Sequence, residues 1–302
     1  MRTHDLIVLG AGMGNALVDD RFAHLDVAIV SEGPFGGTCL NAGCIPSKML
    51  AATADVADTV RDAHRHDVDA ELRRVRWADA RERVFGRRPN GDRLGLDAAG
   101  IDAEDGRITV DEQLRTSAEG VWALGDVSTP VPLKHVANRG AEVVAHNLIH
   151  PGDPRTMSYD AVPAAVFTRP QIAQVGLTEQ EAREQGLDYA AATHRYEDVA
   201  YGWALEETQG FCKVLVDRGT GRLLGAHLLG PQAATLIQPL VVAQTFGITA
   251  RDLAEQPLWI HPALTEVAEN ALRELDSALT SAGRTPPPPA RRAARRTGRP
   301  GR

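Results

Sequence analysis

Lysine is nearly missing from this 302-residue chain: three lysines stand against 30 arginines, and aromatic residues reach only 5%. Cysteine is also scarce, and three of them are too few for an extracellular disulfide framework, so the expected compartment is the reducing cytoplasm. No stretch approaches the roughly 20 apolar residues that cross a bilayer. The run Leu6 to Leu9 stops at glycines after four residues, so neither a targeting segment nor a membrane span is expected. Positive charge is not in excess, and a net charge of -7 at pH 7 argues against nucleic acid or an anionic membrane as the main partner. The apolar share of 43% is enough for two domains with separate cores.

Two of the three cysteines and one of the three lysines fall in one stretch, Gly36-Gly37-Thr38-Cys39-Leu40-Asn41-Ala42-Gly43-Cys44-Ile45-Pro46-Ser47-Lys48. On a continuous α-helix, residues five apart hold their Cα atoms roughly 8.6 Å from one another. A disulfide tolerates no more than about 7 Å. A Cys39–Cys44 bridge therefore needs a broken first turn, which Gly43 and the restriction of Ile45 by Pro46 allow. Zinc would require a second ligand pair, and the remaining cysteine, Cys212, stands alone on an alternating strand pattern, so no metal site is expected.

The stretch GGTCLNAGCIPSK resembles the redox centre of the flavoprotein disulfide reductases, the pyridine nucleotide-disulfide oxidoreductase family. By that resemblance Cys39 exchanges with a substrate disulfide, Cys44 lies against the flavin, and Lys48 stands beside the flavin's reactive nitrogen. Gly37 and Thr38 of the same loop are expected to touch FAD. Upstream, a strand from Asp5 to Leu9 leads into Gly10-Ala11-Gly12-Met13-Gly14-Asn15, then a helix, then a strand from Asp26 to Val30 and Glu32. A strand, a glycine turn, a helix and an acidic residue about 20 positions on form a dinucleotide fingerprint: Gly10, Gly12 and Gly14 admit a pyrophosphate, and Glu32 accepts from a ribose hydroxyl. Asn15 occupies the place where glycine or alanine is usual, a form that resembles the mycothione reductases within the family.

From Pro46 to about His64 a helix is expected, with Met49, Leu50, Thr53, Val56, Ala57 and Val60 as its apolar stripe. The resemblance runs to Phe85 and resumes at Gly86-Arg87-Arg88-Pro89-Asn90, where relatives carry the rest of the first half-domain and a whole NAD(P)-binding domain between the two points. No second glycine fingerprint occurs in the chain. NADPH is the family's electron donor, yet its binding domain is not expected here, and the acidic partner that relatives give the redox-loop lysine belongs to the same region. Gly106 to Asp126 reads as two strands, with Asp126 matching the family's flavin-binding aspartate, followed by a helix from Val136 to Leu148 that His135 caps.

Beyond a linker at Pro151 to Arg155, the pattern predicts a strand at Ala164 to Phe167, a helix at Thr178 to Gln185 and a hairpin of Phe211 to Val216 with Leu223 to Leu229. Helices at Gln232 to Phe246, Ala250 to Glu255 and Pro262 to Leu275 complete it. This part resembles the family's dimerisation domain. There a histidine and a glutamate serve the partner subunit's disulfide, and the matching residues are His261, the acid-base catalyst, and Glu266, which orients it. Pro262 is expected at the first helical position with His261 as the cap. The proline- and arginine-rich end, 280–302, is expected to be a disordered basic tail.

The fold expected is α/β: a truncated FAD-binding Rossmann-like domain over 1–150, interrupted at about 85/86, and an α+β dimerisation domain over 158–275. The function the resemblance implies is FAD-dependent disulfide reduction by a homodimer acting on a small mycothione-like disulfide. Two rival readings stand beside it: a non-catalytic flavin-binding or dimerising remnant or truncated gene product unable to use NADPH, and a flavin-free thiol sensor using Cys39 and Cys44.

Overall fold

The computed structural model describes residues 3–32, 35–41, 43–74 and 94–282. Its chain divides into two compact units, Met1–Val162 and Pro163–Arg302. The expected seam at 85/86 with its Gly86 to Asn90 segment, and positions 283–302 of the expected tail, lie outside the described residues.

In the first unit, β1 (Leu6–Leu9) and β2 (Val27–Val30) pair in parallel, with Leu6 opposite Val27 and Leu9 opposite Val30. The connection is not the α-helix expected from the sequence. It is made of two 3-10 turns, Met13–Leu17 and Asp20–Phe22. Gly12 and Gly14 weaken helix formation, and the Asp19 side chain accepts the Arg21 backbone N–H at 2.9 Å, which starts a new turn. Next come α1 (Gly37–Asn41), α2 (Cys44–Asp62) and a 3-10 turn, Ala63–His66. Of the expected apolar stripe on α2 only Ala57 is buried; Met49 and Val56 are exposed.

The strand pair expected over Gly106 to Asp126 shrinks to a two-residue hairpin, β3 (Ala103–Glu104) with β4 (Arg107–Ile108), and one bridge between Arg115 and Trp122. Asp111 explains the loss. Its carboxylate accepts from the backbone N–H groups of Gln113 and Arg115, both at 2.9 Å, and so bends the chain, while Leu114 sits at φ 63°. Helix α3 (Lys134–Ile149) is longer than expected, and His135 is inside it; Leu133 takes the cap position. The core of this unit joins Ala141, Val143, Val144 and Ala145 of α3 to Leu17, Phe22 and Leu114.

The second unit is built on a five-stranded antiparallel sheet. Its strands are β5 (Ala164–Val166), β6 (Gln171–Gly176), β7 (Tyr189–Arg195), β8 (Phe211–Asp217) and β9 (Leu223–Gly230), in the order β5-β6-β9-β8-β7. The inward positions of β8, Cys212, Val214 and Val216, are fully buried. Around the sheet stand α4 (Glu179–Glu184), α5 (Ala200–Ala204), α6 (Ala233–Leu236), α7 (Gln238–Phe246), α8 (Ala250–Glu255) and α9 (Glu266–Ala282). Thr178 and Glu181 form a reciprocal capping box at the start of α4. The single helix expected from Gln232 to Phe246 is two helices, because Pro239 has no N–H to continue the first ladder and suits the opening turn of the second.

Helix α9 packs on β7, β8 and α8. It begins at Glu266 rather than Pro262 and runs to Ala282, into the segment expected to be disordered. Residues 262–265 form turns instead, and the Ala263 N–H is taken by the Glu266 carboxylate at 3.0 Å, so Pro262 is not helical and His261 is not a helix cap.

Candidate redox site

The helix that would hold the two cysteines apart is broken between them. Gly43, at the cap of α2, has φ -128° and ψ -102°, and a Cβ added there would stand 3.0 Å from the Thr38 carbonyl oxygen. A side chain there would crowd the Thr38 carbonyl, so glycine suits so close a fold-back. The consequence is that the Cys39 thiol hydrogen-bonds to Cys44, both as free thiols in partly buried positions. Burial pushes the Cys39 thiol above its ordinary value, and its hydrogen bond with Cys44 and that neighbour's charge add to the rise. Lys134 opposes the shift.

The cysteine loop is docked on the glycine turn. The Gly36 N–H donates to the Ala11 carbonyl at 2.8 Å, and a Cβ at Gly37, where φ is +58°, would come within 2.5 Å of the Gly12 Cα. Gly37 therefore sits against Gly12, with Thr38 next to it in the chain. Gly10 donates to the Val30 carbonyl at 2.7 Å, which fixes the turn to the end of β2, two residues before the exposed Glu32. A Cβ added at Gly10 or Gly12 meets nothing within 4 Å, so backbone at this turn is open to a ligand. That open backbone fits the approach a dinucleotide pyrophosphate requires.

Lys48 lies four residues after Cys44, on the second turn of α2 rather than the first, and so on the same face of the helix. Burial lowers its pKa, and the negative groups Asp55 and Cys44 counter part of that shift. Asp126 belongs to the 3-10 turn Gly125–Val127, which rests on α3: a Cβ at Gly125 would meet that of Ala137 at 3.5 Å. Lys134, which sequence reasoning passed over, opens α3 and carries one of the chain's three ammonium groups. The rarity that singled out Lys48 applied to it equally.

In the second unit, His261 Nδ1 stands 2.7 Å from Glu266 Oε1. The ring is 68% exposed and the carboxylate only 16%. Burial alone would raise the Glu266 pKa, but hydrogen bonds from His261 and the Ala263 N–H outweigh it and hold the carboxyl below its ordinary 4.5. An ionised Glu266 makes Nδ1 the donor and leaves Nε2 as the acceptor nitrogen, the tautomer a general base needs. A second pair, His194 with Glu274 at 2.8 Å, differs: Asn270 approaches its Nε2 at 3.2 Å, so both ring nitrogens are occupied. That pair anchors α9 to β7.

The model of the pyridine nucleotide-disulphide oxidoreductase dimerisation domain matches residues 162–272, and that of the pyridine nucleotide-disulphide oxidoreductases matches 83–142. A mycothione reductase of Mycobacterium tuberculosis is 34% identical over 455 residues, covering 90% of this chain and 99% of the relative. That alignment is longer than the 302-residue chain, so a stretch of the relative larger than a small domain has no counterpart here. A dihydrolipoyl dehydrogenase of Halobacterium salinarum is 40% identical over 194 residues, 63% of this chain and 40% of the relative.

Among solved structures, the Cu(II) complex of the HOCl-induced flavoprotein disulfide reductase RclA from Escherichia coli aligns with TM-score 0.76 over 91% of this chain and 100% of that one, at 18% identity. LpdA from Mycobacterium tuberculosis aligns with TM-score 0.58 over 91% and 62%, at 24% identity. At such identities these two speak for the fold. With an FAD-binding unit whose NAD(P) region is missing, a dimerisation domain, and a relative matched over nearly its whole length, the chain belongs to the pyridine nucleotide-disulphide oxidoreductases, the FAD-dependent flavoprotein disulfide reductases.

Proposed function

We propose that the chain performs the thiol-disulfide half of a mycothione reductase-type reaction, as a homodimer in the cytoplasm. The observation that carries this reading is the broken helix, which puts Cys39 in hydrogen-bonding contact with Cys44. Cys39, as thiolate, attacks one sulfur of a small disulfide and releases the first thiol. Cys44 then attacks the mixed disulfide, closing the Cys39–Cys44 bridge and releasing the second thiol, so two electrons pass from the dithiol to the substrate. His261 takes the proton from the attacking side and returns it to the leaving thiol. Glu266 holds its tautomer, from the partner subunit as the family resemblance implies.

Gly10, Gly12, Gly14, Glu32, Gly37, Thr38, Lys48 and Asp126 are the residues that would hold FAD, which, once reduced by a free two-electron reductant such as dithionite, would supply the electrons that reopen the Cys39–Cys44 bridge. NADPH, the family's reductant, has no domain in this chain to receive it, and NADPH-driven turnover is therefore expected to be absent. The test uses mass spectrometry of the reduced chain mixed with mycothiol disulfide. Cys44→Ser should accumulate an adduct on Cys39, Cys39→Ser should accumulate none, and adducts on neither variant would sink the relay. One observation favours a non-catalytic remnant instead: Ile7, Leu9 and Val30 on the two-stranded sheet are all more than half exposed, as is Val56 on α2. Under that reading the reduced wild-type chain releases no thiol from the disulfide.

A further inference from the structure

We propose that the cleft beside the β3–β4 hairpin in the first unit binds a small amino alcohol, its hydroxyl end on Ser128 and its ammonium end among the rim carboxylates. The cleft holds about 580 Å³, inside the roughly 300–1,000 Å³ that small-molecule sites occupy. Ile108, Leu114 and Met157 form its apolar wall. None of the residues assigned above to FAD or to disulfide exchange lines it, so the inference stands apart from the flavin and the two cysteines.

Ser128 is the residue that points to a ligand. The buried polar residues among those described are Ser128, Thr129 and Asn147. Asn147 donates to the Arg155 carbonyl at 2.9 Å and accepts the Arg155 N–H at 2.7 Å. The Thr129 hydroxyl donates to the Val131 carbonyl at 3.2 Å and accepts the Val131 N–H at 3.1 Å. Ser128 is 6% exposed and lines the cleft, yet its hydroxyl has no hydrogen-bond partner among the described residues. Its backbone N–H already closes the turn onto the Gly125 carbonyl at 3.0 Å, so the local fold makes no demand on the hydroxyl. A buried hydroxyl without a partner costs stability, and one that faces a cavity is satisfied by whatever fills it. Water would serve as well as a ligand, so the class of ligand is read from the surrounding charge. Asp111 also lines the cleft, but Arg115 Nε holds its carboxylate at 2.7 Å. The carboxylates of Glu104, Asp105 and Glu112 have no ion pair among the described residues, and Arg107, opposite Glu104 in the hairpin, offsets one of them. The rim thus favours a cation. No group of three or more His, Cys, Asp or Glu among the described residues is placed to hold a metal ion, which favours an organic cation. An ammonium taken down to Ser128 would lose its water for a single hydroxyl, so the charged end belongs at the solvated rim and a neutral hydroxyl at Ser128.

The test is isothermal titration calorimetry of the full chain with aminopentanol, using pentylamine and pentanediol as controls. Saturable binding of aminopentanol is expected, about fivefold tighter than that of pentylamine, which lacks the hydroxyl. Pentanediol, without the charge, should bind more weakly than aminopentanol, and added salt should narrow that difference. Ser128→Ala should weaken aminopentanol about fivefold and leave pentylamine unchanged, while Glu112→Gln should weaken both amines about twofold. No saturable binding overturns the proposal, because the cleft then holds water alone. Wild-type affinity in both variants overturns it by placing the amine elsewhere. Loss of both amines in Ser128→Ala is a packing effect and overturns the hydroxyl contact. Displacement of aminopentanol by FAD would give the cleft to the flavin and overturns it as well.

Discussion

Replacing Lys134 by methionine removes a cation that works against the elevated Cys39 pKa. The thiol is already above its ordinary 9.0, so the variant should react several-fold more slowly with iodoacetamide at pH 8, measured on the Cys44→Ser background to isolate one sulfur. Equal rates would show that the ammonium does not reach the sulfur. At Glu266 the sign runs the other way. Its folded pKa lies below 4.5, so the ionised carboxylate contributes stability fully above that value and loses it as pH falls through the lowered one. Glu266→Gln should therefore melt about 2–4 °C below wild type at pH 7, and the two curves should converge as pH falls well below 4.5. Cys39, Cys44, His261 and Glu266 were readable from letters and spacing because each pair is local, at most five positions apart. Lys134 takes its interest from the placing of the start of α3 near Cys39, and no local pattern records that packing.

The hinge between α1 and α2 depends on one missing side chain. In Gly43→Ala the new Cβ meets the Thr38 carbonyl at 3.0 Å and the loop must open, so closure of the Cys39–Cys44 disulfide by oxidised dithiothreitol should slow several-fold. Closure at the wild-type rate would mean that the backbone absorbs the methyl group elsewhere. Elements with strong internal signals were legible: the β8–β9 hairpin around its Asp-Arg-Gly-Thr-Gly turn, and α8, whose observed limits match those expected. Illegible ones were decided by side chains acting on backbone. Asp111 bent a segment whose alternation read as strand, Pro239 split a periodic helix, and Glu266 captured the Ala263 N–H ahead of α9.

For the molecule as a whole, the second unit exposes Trp203 and Phe246 at 75% each, Leu258 at 100% and Ile260 at 75%. Exposed apolar groups on a dimerisation domain are the expected seat of a second copy. Leu258→Asp combined with Ile260→Asp should convert a dimer to a monomer in sedimentation velocity, and a wild-type chain that sediments as a monomer at micromolar concentration would count against the homodimer. The linker at Pro151 to Arg155 and the change of pattern after it lead to an expected division there, and the chain's two compact units meet at Val162. The shortness of the first sheet was foreshadowed by the missing central sequence. It also has a practical side. Among the described residues the two parallel strands leave their outer rims unbonded, so β1 and β2 offer a template on which neighbouring molecules can stack. The working range of this protein in the tube is then set by dilution, with turbidity growing on standing in concentrated samples and a lysine in place of the two-thirds exposed Leu9 keeping them clear.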